Sequence, residues 1–330
     1  MNNTLTAVSV CIVGTNFISD WFAEAAKFTD GVVLGAVYSR KYETGKAFAD
    51  KHGIKRVYTD YGEMLRDTEI SAVYVASPTF CHCEHSLRAL RAGKHVLCEK
   101  MISVSHDELS LMIDAAKENG VVLLEAMRQD FDPSAALIRE YIPRLGAIRR
   151  ATLEYCQYSS RYDRFKGGTV LNAFDPYMKN SALADIGIYP LHTCVSLFGE
   201  PKKIASSSVF LDNGFEGAGT AVLSYDGMTA TVIYSKITDS VNPSVIEGEL
   251  GSLTFDKINA PKSIVYHPRG GDAVRLDYTS VEHNMVYEIQ AFRDMIAGGL
   301  DHEKYLRVSE ITMRCVDKIY ECSGISFPEA

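Results

Sequence analysis

The sequence predicts an α/β protein of two domains: an N-terminal doubly wound parallel sheet, then a C-terminal α+β domain with a large, mostly antiparallel sheet. Three observations lead there. The chain has 330 residues, too many for one ordinary domain. Residues 1–126 alternate short apolar runs with helical patterns. Residues 127–330 open with a helix and a strand and then read as strands separated by turn signals.

In the first domain, strands are read at 8–13, 32–38, 55–58, 72–76, 95–98 and 121–126. The run at 72–76, AVYVA, is apolar throughout, as a central parallel strand covered on both faces requires. Helical patterns lie between the runs. Gly53, Gly93 and Gly120 are stop signals, Asp60 is a cap, and Ser105 with Glu108 forms a capping box. Strands alternating with helices specify a doubly wound sheet, which binds ligands beyond the carboxyl ends of its strands. Those ends carry Gly14, Ser39, Ser77-Pro78, Glu99-Lys100 and Arg128, which read together as one crevice.

In the second domain a helix near 134–144 precedes a strand at 149–158, a long polar loop at 159–180 and a helix at 182–197. Strands then run from 202 to 278, with turns at Asp212-Asn213-Gly214, Tyr225-Asp226-Gly227 and Gly270-Gly271-Asp272. Two helices close the chain, near 285–297 and 309–322.

Composition excludes several classes. The net charge is −8 and no basic run is present, which argues against nucleic acid as a partner. No segment reaches the roughly 18 apolar residues that cross a bilayer, and no cation precedes the first apolar run, so neither a membrane span nor a signal peptide is expected. The eight cysteines read as free thiols of a cytoplasmic protein. Cys81, His82, Cys83 and His85 crowd one helix start and diverge, so no metal site is expected.

Gly14-Thr15-Asn16-Phe17-Ile18-Ser19 stands where a Rossmann domain carries G-x-G-x-x-G/A. Gly14 supplies the turn. Asn16 replaces the second glycine, and Asn is the side chain that best tolerates positive φ. Ser19 is small enough for close packing. A glycine after a strand is also a plain turn; the surrounding alternation favours the cofactor reading. The second strand ends Ser39-Arg40-Lys41, where an NAD enzyme places an acid for the ribose diol. A hydroxyl and two cations suit a 2′-phosphate instead. NADP(H) is therefore expected, with NAD(H) the alternative.

Asp185, Tyr189 and His192 are spaced to share one helix face. A polar stripe there points to a wet cleft rather than a core; for His192 alone, a satisfied core histidine is the alternative.

The chain resembles the Gfo/Idh/MocA oxidoreductase family nearly end to end. VGTNFIS, ASPTFCH, AGKHVLCEK and LADIGIYPLH carry the likeness, helped by VLNAFDP and YEIQAF. The form DIGIY is similar to the glucose–fructose oxidoreductase and dimeric dihydrodiol dehydrogenase branches. The resemblance implies that Lys100 is the catalytic lysine and Tyr189 the acid–base. Asp185 and His192 are then substrate contacts, with Arg128 facing the same pocket. Gly14, Thr15, Asn16, Phe17, Ile18, Ser39, Arg40, Ser77, Pro78, His82, Glu99 and Lys100 are implied to line the cofactor, His82 near the nicotinamide ribose. The family's Pro after the lysine is here Met101, which leaves that backbone less constrained.

The expected activity is hydride transfer between NADP(H) and a secondary alcohol or ketone of a sugar, cyclitol or cyclic diol. The alternative is a catalytically silent NADP-binding regulatory protein, which Asn16 and Met101 would permit. The loop cations Arg161, Arg164 and Lys166 hint at an acidic or phosphorylated ligand. A homodimer or higher oligomer is expected through the antiparallel sheet, since an uncovered face would expose apolar surface.

Overall fold

The computed structural model describes residues 7–328. Within them the chain divides into two compact units. The first runs to Arg128 and takes up Val281–Arg307; the second holds Gln129–Ser280 and the chain from Val308 on.

The first unit is built on β1 (Val8–Val13), α1 (Phe17–Ala26), β2 (Val32–Tyr38), α2 (Tyr42–His52), β3 (Arg56–Tyr58), α3 (Tyr61–Arg66), β4 (Ala72–Val75), α4 (His82–Arg91), β5 (His95–Cys98), α5 (His106–Asn119) and β6 (Leu123–Glu125). The strands form one sheet in the order β3-β2-β1-β4-β5-β6, parallel throughout. All four residues of β4 are buried, so the run 72–76 is apolar because both of its faces are covered. The order reverses direction between β1 and β4, so the crevice for a ligand opens at their carboxyl ends.

The caps follow the sequence with one shift. Asp60 accepts from the Glu63 amide and Ser105 from the Glu108 amide. Glu108 Oε2 accepts from the Val104 amide, one residue before the position that a capping box uses. Helices α2 and α5 stop at left-handed Gly53 and Gly120.

The second unit contains α6 (Pro133–Tyr141), β7 (Ile148–Cys156), α7 (Tyr162–Lys166), α8 (Ile188–Phe198), β8 (Lys203–Phe210), β9 (Glu216–Tyr225), β10 (Met228–Ser235), β11 (Ser244–Gly248), β12 (Gly251–Phe255), β13 (Ile264–Pro268) and β14 (Val274–Leu276). Its sheet has the order β14-β13-β12-β11-β7-β10-β9-β8. Every neighbouring pair is antiparallel except β7 with β10. Alternate residues Ala221, Leu223, Ala230 and Val232 are fully buried, while Val222 between them is exposed. The α8 helix packs on this sheet against β7 and β10.

The segment 159–180 is less polar in effect than its sequence suggests. Phe174 and Phe215 are fully buried, and Tyr162 and Phe165 pack against them. The aromatics lie at irregular spacing, so no periodic signal marks them, yet together they anchor the loop.

Two helices remain, α9 (Met285–Ile296) and α10 (Glu303–Ser323). The sequence reading puts everything after residue 126 in one domain. Residues 281–307 instead belong with the first unit, because α9 buries Met285, Ile289 and Phe292 and packs on α1. Hydrophobic periodicity shows that such a helix has an apolar face but not which partner covers it.

Candidate functional site

In the first unit the carboxyl ends of the strands gather the expected residues. Gly14 holds φ at +109°, and a Cβ there would meet Ala76 O at 2.7 Å. The turn after β1 therefore excludes any side chain, as a backbone that must pass close to a phosphate requires.

Asn16 corrects the sequence reading. Its φ is −87° and its ψ −179°, so it is extended rather than left-handed; Gly14 carries the positive φ of this turn. Asn16 is the N-cap of α1. Its Oδ1 accepts from the amides of Ile18 and Ser19 at 3.0 and 3.1 Å. Its Nδ2 donates to Ala76 O at 2.9 Å, tying the turn to the end of β4. The side chain thus commits two of the first helical amides inside the protein and does work that a second glycine could not. Thr15 and Ile18 are half-buried, whereas Phe17 stands exposed.

Ser39 Oγ accepts from the Lys41 amide, and Arg40 is exposed beside it. Burial raises the Cys81 thiol and lowers the His85 imidazole, with Arg40 a minor influence on each. His82 lies deeper than the sequence reading places it. It is 1% exposed, with Nδ1 2.8 Å from Met101 O and Nε2 2.8 Å from Ser77 O. A neutral ring donates only once, so one carbonyl faces a lone pair. Burial nevertheless outweighs the two carbonyls and pushes the imidazole down to about 4. His82 pins the ends of β4 and β5 together. His85 Nδ1 lies 2.9 Å from Ser77 Oγ. Among the described residues no group of three or more His, Cys, Asp or Glu is arranged to hold a metal ion.

Lys100 follows β5 and is half-buried, and its peptide bond to Met101 is cis. Its backbone amide donates to Glu99 Oε2 at 3.3 Å. Glu99 is buried and accepts from the Tyr74 hydroxyl at 2.5 Å. Burial raises the Glu99 carboxyl, against the pull of Tyr74, Lys100 and Arg128. Glu288 of α9, 1% exposed, is raised well above the usual range by burial and then by Glu99. Arg128 sits with its guanidinium 5.8 Å from the ring centre of Trp21, the chain's single tryptophan. Phe17 and His283 meet the same indole edge-on. Turn, helix start, cations and aromatic platform together fit a dinucleotide.

In the second unit a π-helical turn, Leu183–Gly187, leads into α8. The extra residue of a π turn widens the helix and re-aims its side chains. Of the expected stripe, Asp185 is 36% exposed while Tyr189 and His192 are buried. Residues from β9 and β10 hold this turn. Glu216 Oε2 accepts from the Leu183 amide at 2.9 Å. A Cβ on Gly187 would strike the Tyr234 ring at 2.6 Å, so only glycine lets helix and sheet approach this closely. Lys236 Nζ lies 2.9 Å from Asp185 Oδ2.

His192 Nε2 donates to Asp130 Oδ2 at 2.8 Å. Arg139 stands 3.6 Å from the other Asp130 oxygen. Tyr189 meets Tyr155 edge-on at 5.6 Å, and the Tyr155 hydroxyl accepts from Asn259 Nδ2. On the loop, Lys166 is neutralised by Asp163 at 2.8 Å, which weakens the hint of an acidic ligand. Sequence reasoning missed Asp130, Lys236, Glu216 and Glu288. Asp130, Lys236 and Glu216 each meet a partner far along the chain, and Glu288 meets Glu99 nearly 200 residues away; no local spacing announces such a contact.

Residues 8–127 match the oxidoreductase family GFO/IDH/MocA, NAD-binding Rossmann fold, and residues 139–254 match the GFO/IDH/MocA C-terminal domain. The chain is similar to scyllo-inositol 2-dehydrogenase (NADP+) of Bacillus subtilis (strain 168), with 39% identity over 323 residues, 97% of this chain and 98% of that protein. It is also similar to trans-1,2-dihydrobenzene-1,2-diol dehydrogenase of Mus musculus, with 26% identity over 306 residues, 89% of this chain and 90% of that one. A 3-ketoreductase from Actinomadura kijaniata, solved with NADP and TDP-benzene, shares the fold: TM-score 0.85 at 21% identity, covering 96% of this chain and 98% of the other. With both family domains matched in order and 39% identity over nearly its whole length, the chain belongs to the GFO/IDH/MocA family of oxidoreductases.

Proposed function

We propose that the protein is an NADP(H)-dependent oxidoreductase that interconverts a secondary alcohol and a ketone on a neutral polyol: a cyclitol, a sugar or a cyclic diol. The observation that carries this is the carboxyl edge of the first sheet. The turn after β1 is held by a glycine that no side chain could replace, the kind of turn a pyrophosphate-binding loop uses, and β2 is followed by Ser39-Arg40 where an NAD enzyme needs an acid. The relatives named for scyllo-inositol and for a dihydrodiol support the substrate class.

NADP(H), when bound, supplies or accepts the hydride. The chain's own residues do the rest. In the reducing direction the Tyr189 phenol donates its proton to the carbonyl oxygen, and in oxidation the same group takes that proton back. The Lys100 ammonium orients the oxygen and steadies the negative charge developing on it. Asp185 accepts from a neighbouring substrate hydroxyl. His192, held by Asp130, keeps the polar wall of the helix in place. Arg128 and the Phe17–Trp21 platform bound the cofactor side. The exposed outward face of β8 and β9, with Val209, Phe210 and Val222, supports a homodimer formed through that sheet. Eight free thiols support a reducing, cytoplasmic setting.

The test uses Trp21 as its reporter. Titration of the purified protein with NADPH and with NADH should quench its fluorescence, with NADPH at least tenfold tighter. With NADP+ and scyllo-inositol, Lys100→Ala should lower kcat by roughly 10²–10³-fold, the usual cost of removing one donor to a developing oxyanion. Its NADPH affinity should change little. NADPH binding without turnover on any polyol would favour the silent, regulatory alternative. No binding of either nucleotide would overturn the proposal.

A further inference from the structure

Lys236 directly follows β10, 3% exposed, and the mechanism above leaves it without a task. Burial of an ammonium is costly unless its charge and its donors are satisfied. Here every partner is in place. The Nζ donates to Ala173 O at 2.7 Å and lies 2.9 Å from Asp185 Oδ2. The rings of Phe174 and Phe215 stand 4.9 and 5.1 Å from it, within cation–π range. One ammonium therefore joins three elements: the anchored loop 159–180 through Ala173, the π-helical turn through Asp185, and the sheet through its own strand.

A strand-end lysine of purely structural use needs no carboxylate that is itself more than one-third exposed. Asp185 is that carboxylate, and it sits in the one π-helical turn among the described residues. Such turns mark functional positions more often than ordinary helix does. We propose that Lys236 is the positioning residue of the substrate site: it fixes the orientation of the Asp185 carboxylate and locks loop 159–180 to it. The pair is also neutral in sum, which favours an uncharged polyol over an anionic or cationic one. The role rests on the polyol reading given above, in which Asp185 is a substrate contact.

The test compares Lys236→Met, which keeps most of the stem and removes the charge, with Asp185→Asn and the double variant. Each is measured by thermal unfolding, by NADPH titration through Trp21, and by kinetics with scyllo-inositol and NADP+. Lys236→Met should raise KM at least tenfold while kcat stays within about threefold and NADPH affinity is retained. In the Asp185→Asn background the same substitution should add less than twofold to KM. Lys236→Arg, which keeps the charge, should recover part of the lost affinity. The two single losses in Tm should not add in the double variant.

An unchanged KM in a folded Lys236→Met protein overturns the proposal. So does an equal rise in KM with and without Asp185, or additive losses in Tm. If the unaltered protein turns over no polyol at all, the functional reading falls and the role falls with it. The thermal cycle still separates that failure from the absence of coupling between the two residues.

Discussion

At Gly14 the backbone holds φ = +109° with Ala76 O where a methyl group would go. Gly14→Ala meets both a steric and a conformational penalty, about 1–3 kcal/mol each. The variant should lose Tm and at least tenfold in NADPH affinity; a folded variant that binds NADPH normally would remove the cofactor turn from the argument. Arg40 makes a narrower prediction. A cation that grips a 2′-phosphate contributes to NADPH binding and not to NADH binding. Arg40→Ala should therefore weaken NADPH by at least tenfold and leave NADH within about twofold. Equal losses for both nucleotides would place Arg40 elsewhere than on the 2′-phosphate. The tight turn at Gly14 was legible because a glycine directly after a strand marks it locally. Asn16 was half legible. Its place in the fingerprint was clear, but its task as a cap was not, because that task needs Ala76, 60 residues away.

The α9 helix brings Glu288 beside Glu99 inside the first unit, and this arrangement sets a pH dependence. Burial raises both carboxyls above their ordinary values, so folding favours the neutral acids. Their contribution to stability is complete below about 4.5 and is lost as pH rises through the raised values. Each pH unit across that window costs the unaltered protein about 1.4 kcal/mol per shifted group. Glu288→Gln is neutral at every pH, so its Tm relative to the unaltered protein should be higher at pH 8 than at pH 5. An equal difference at both pH values would mean that Glu288 is not held neutral. His82 acts in the opposite direction. Its imidazole is depressed to about 4, so its contribution is present above about 6.5 and is lost as pH falls toward 4. The π-helical turn belongs to the same scale. The spacing of Asp185, Tyr189 and His192 announced a helix with a polar set, but not the π-helical turn inside it, nor that Tyr189 and His192 are buried while Asp185 meets solvent.

For the whole molecule, the chain passes between its two units three times, after residues 128, 280 and 307. The second unit leaves Val209 at 55% and Val222 at 41% exposure on the outward face of β8 and β9. In the dimer proposed above, both residues are covered by the partner's sheet. The unaltered protein should therefore elute as a dimer in size exclusion with light scattering, and Val222→Asp should shift it to monomer with its NADPH affinity intact. A monomeric unaltered protein would contradict the sheet-to-sheet dimer.

The sequence by itself determined what is local or periodic. The six parallel strands, their helices, the caps at Asp60 and Ser105, the turn at Gly14 and the family motifs around Lys100 and Asp185 are each written within a few residues of one another. Tertiary structure alone decided which far-apart groups meet. Lys236 reaches Asp185, Asp130 reaches His192, Glu216 reaches Leu183, and α9 joins the first unit. The physical reason is the same in each case. A buried ionisable group either finds a partner, at any distance along the chain, or is pushed to its neutral form, whereas hydrophobic periodicity records only that a face is covered and not by what.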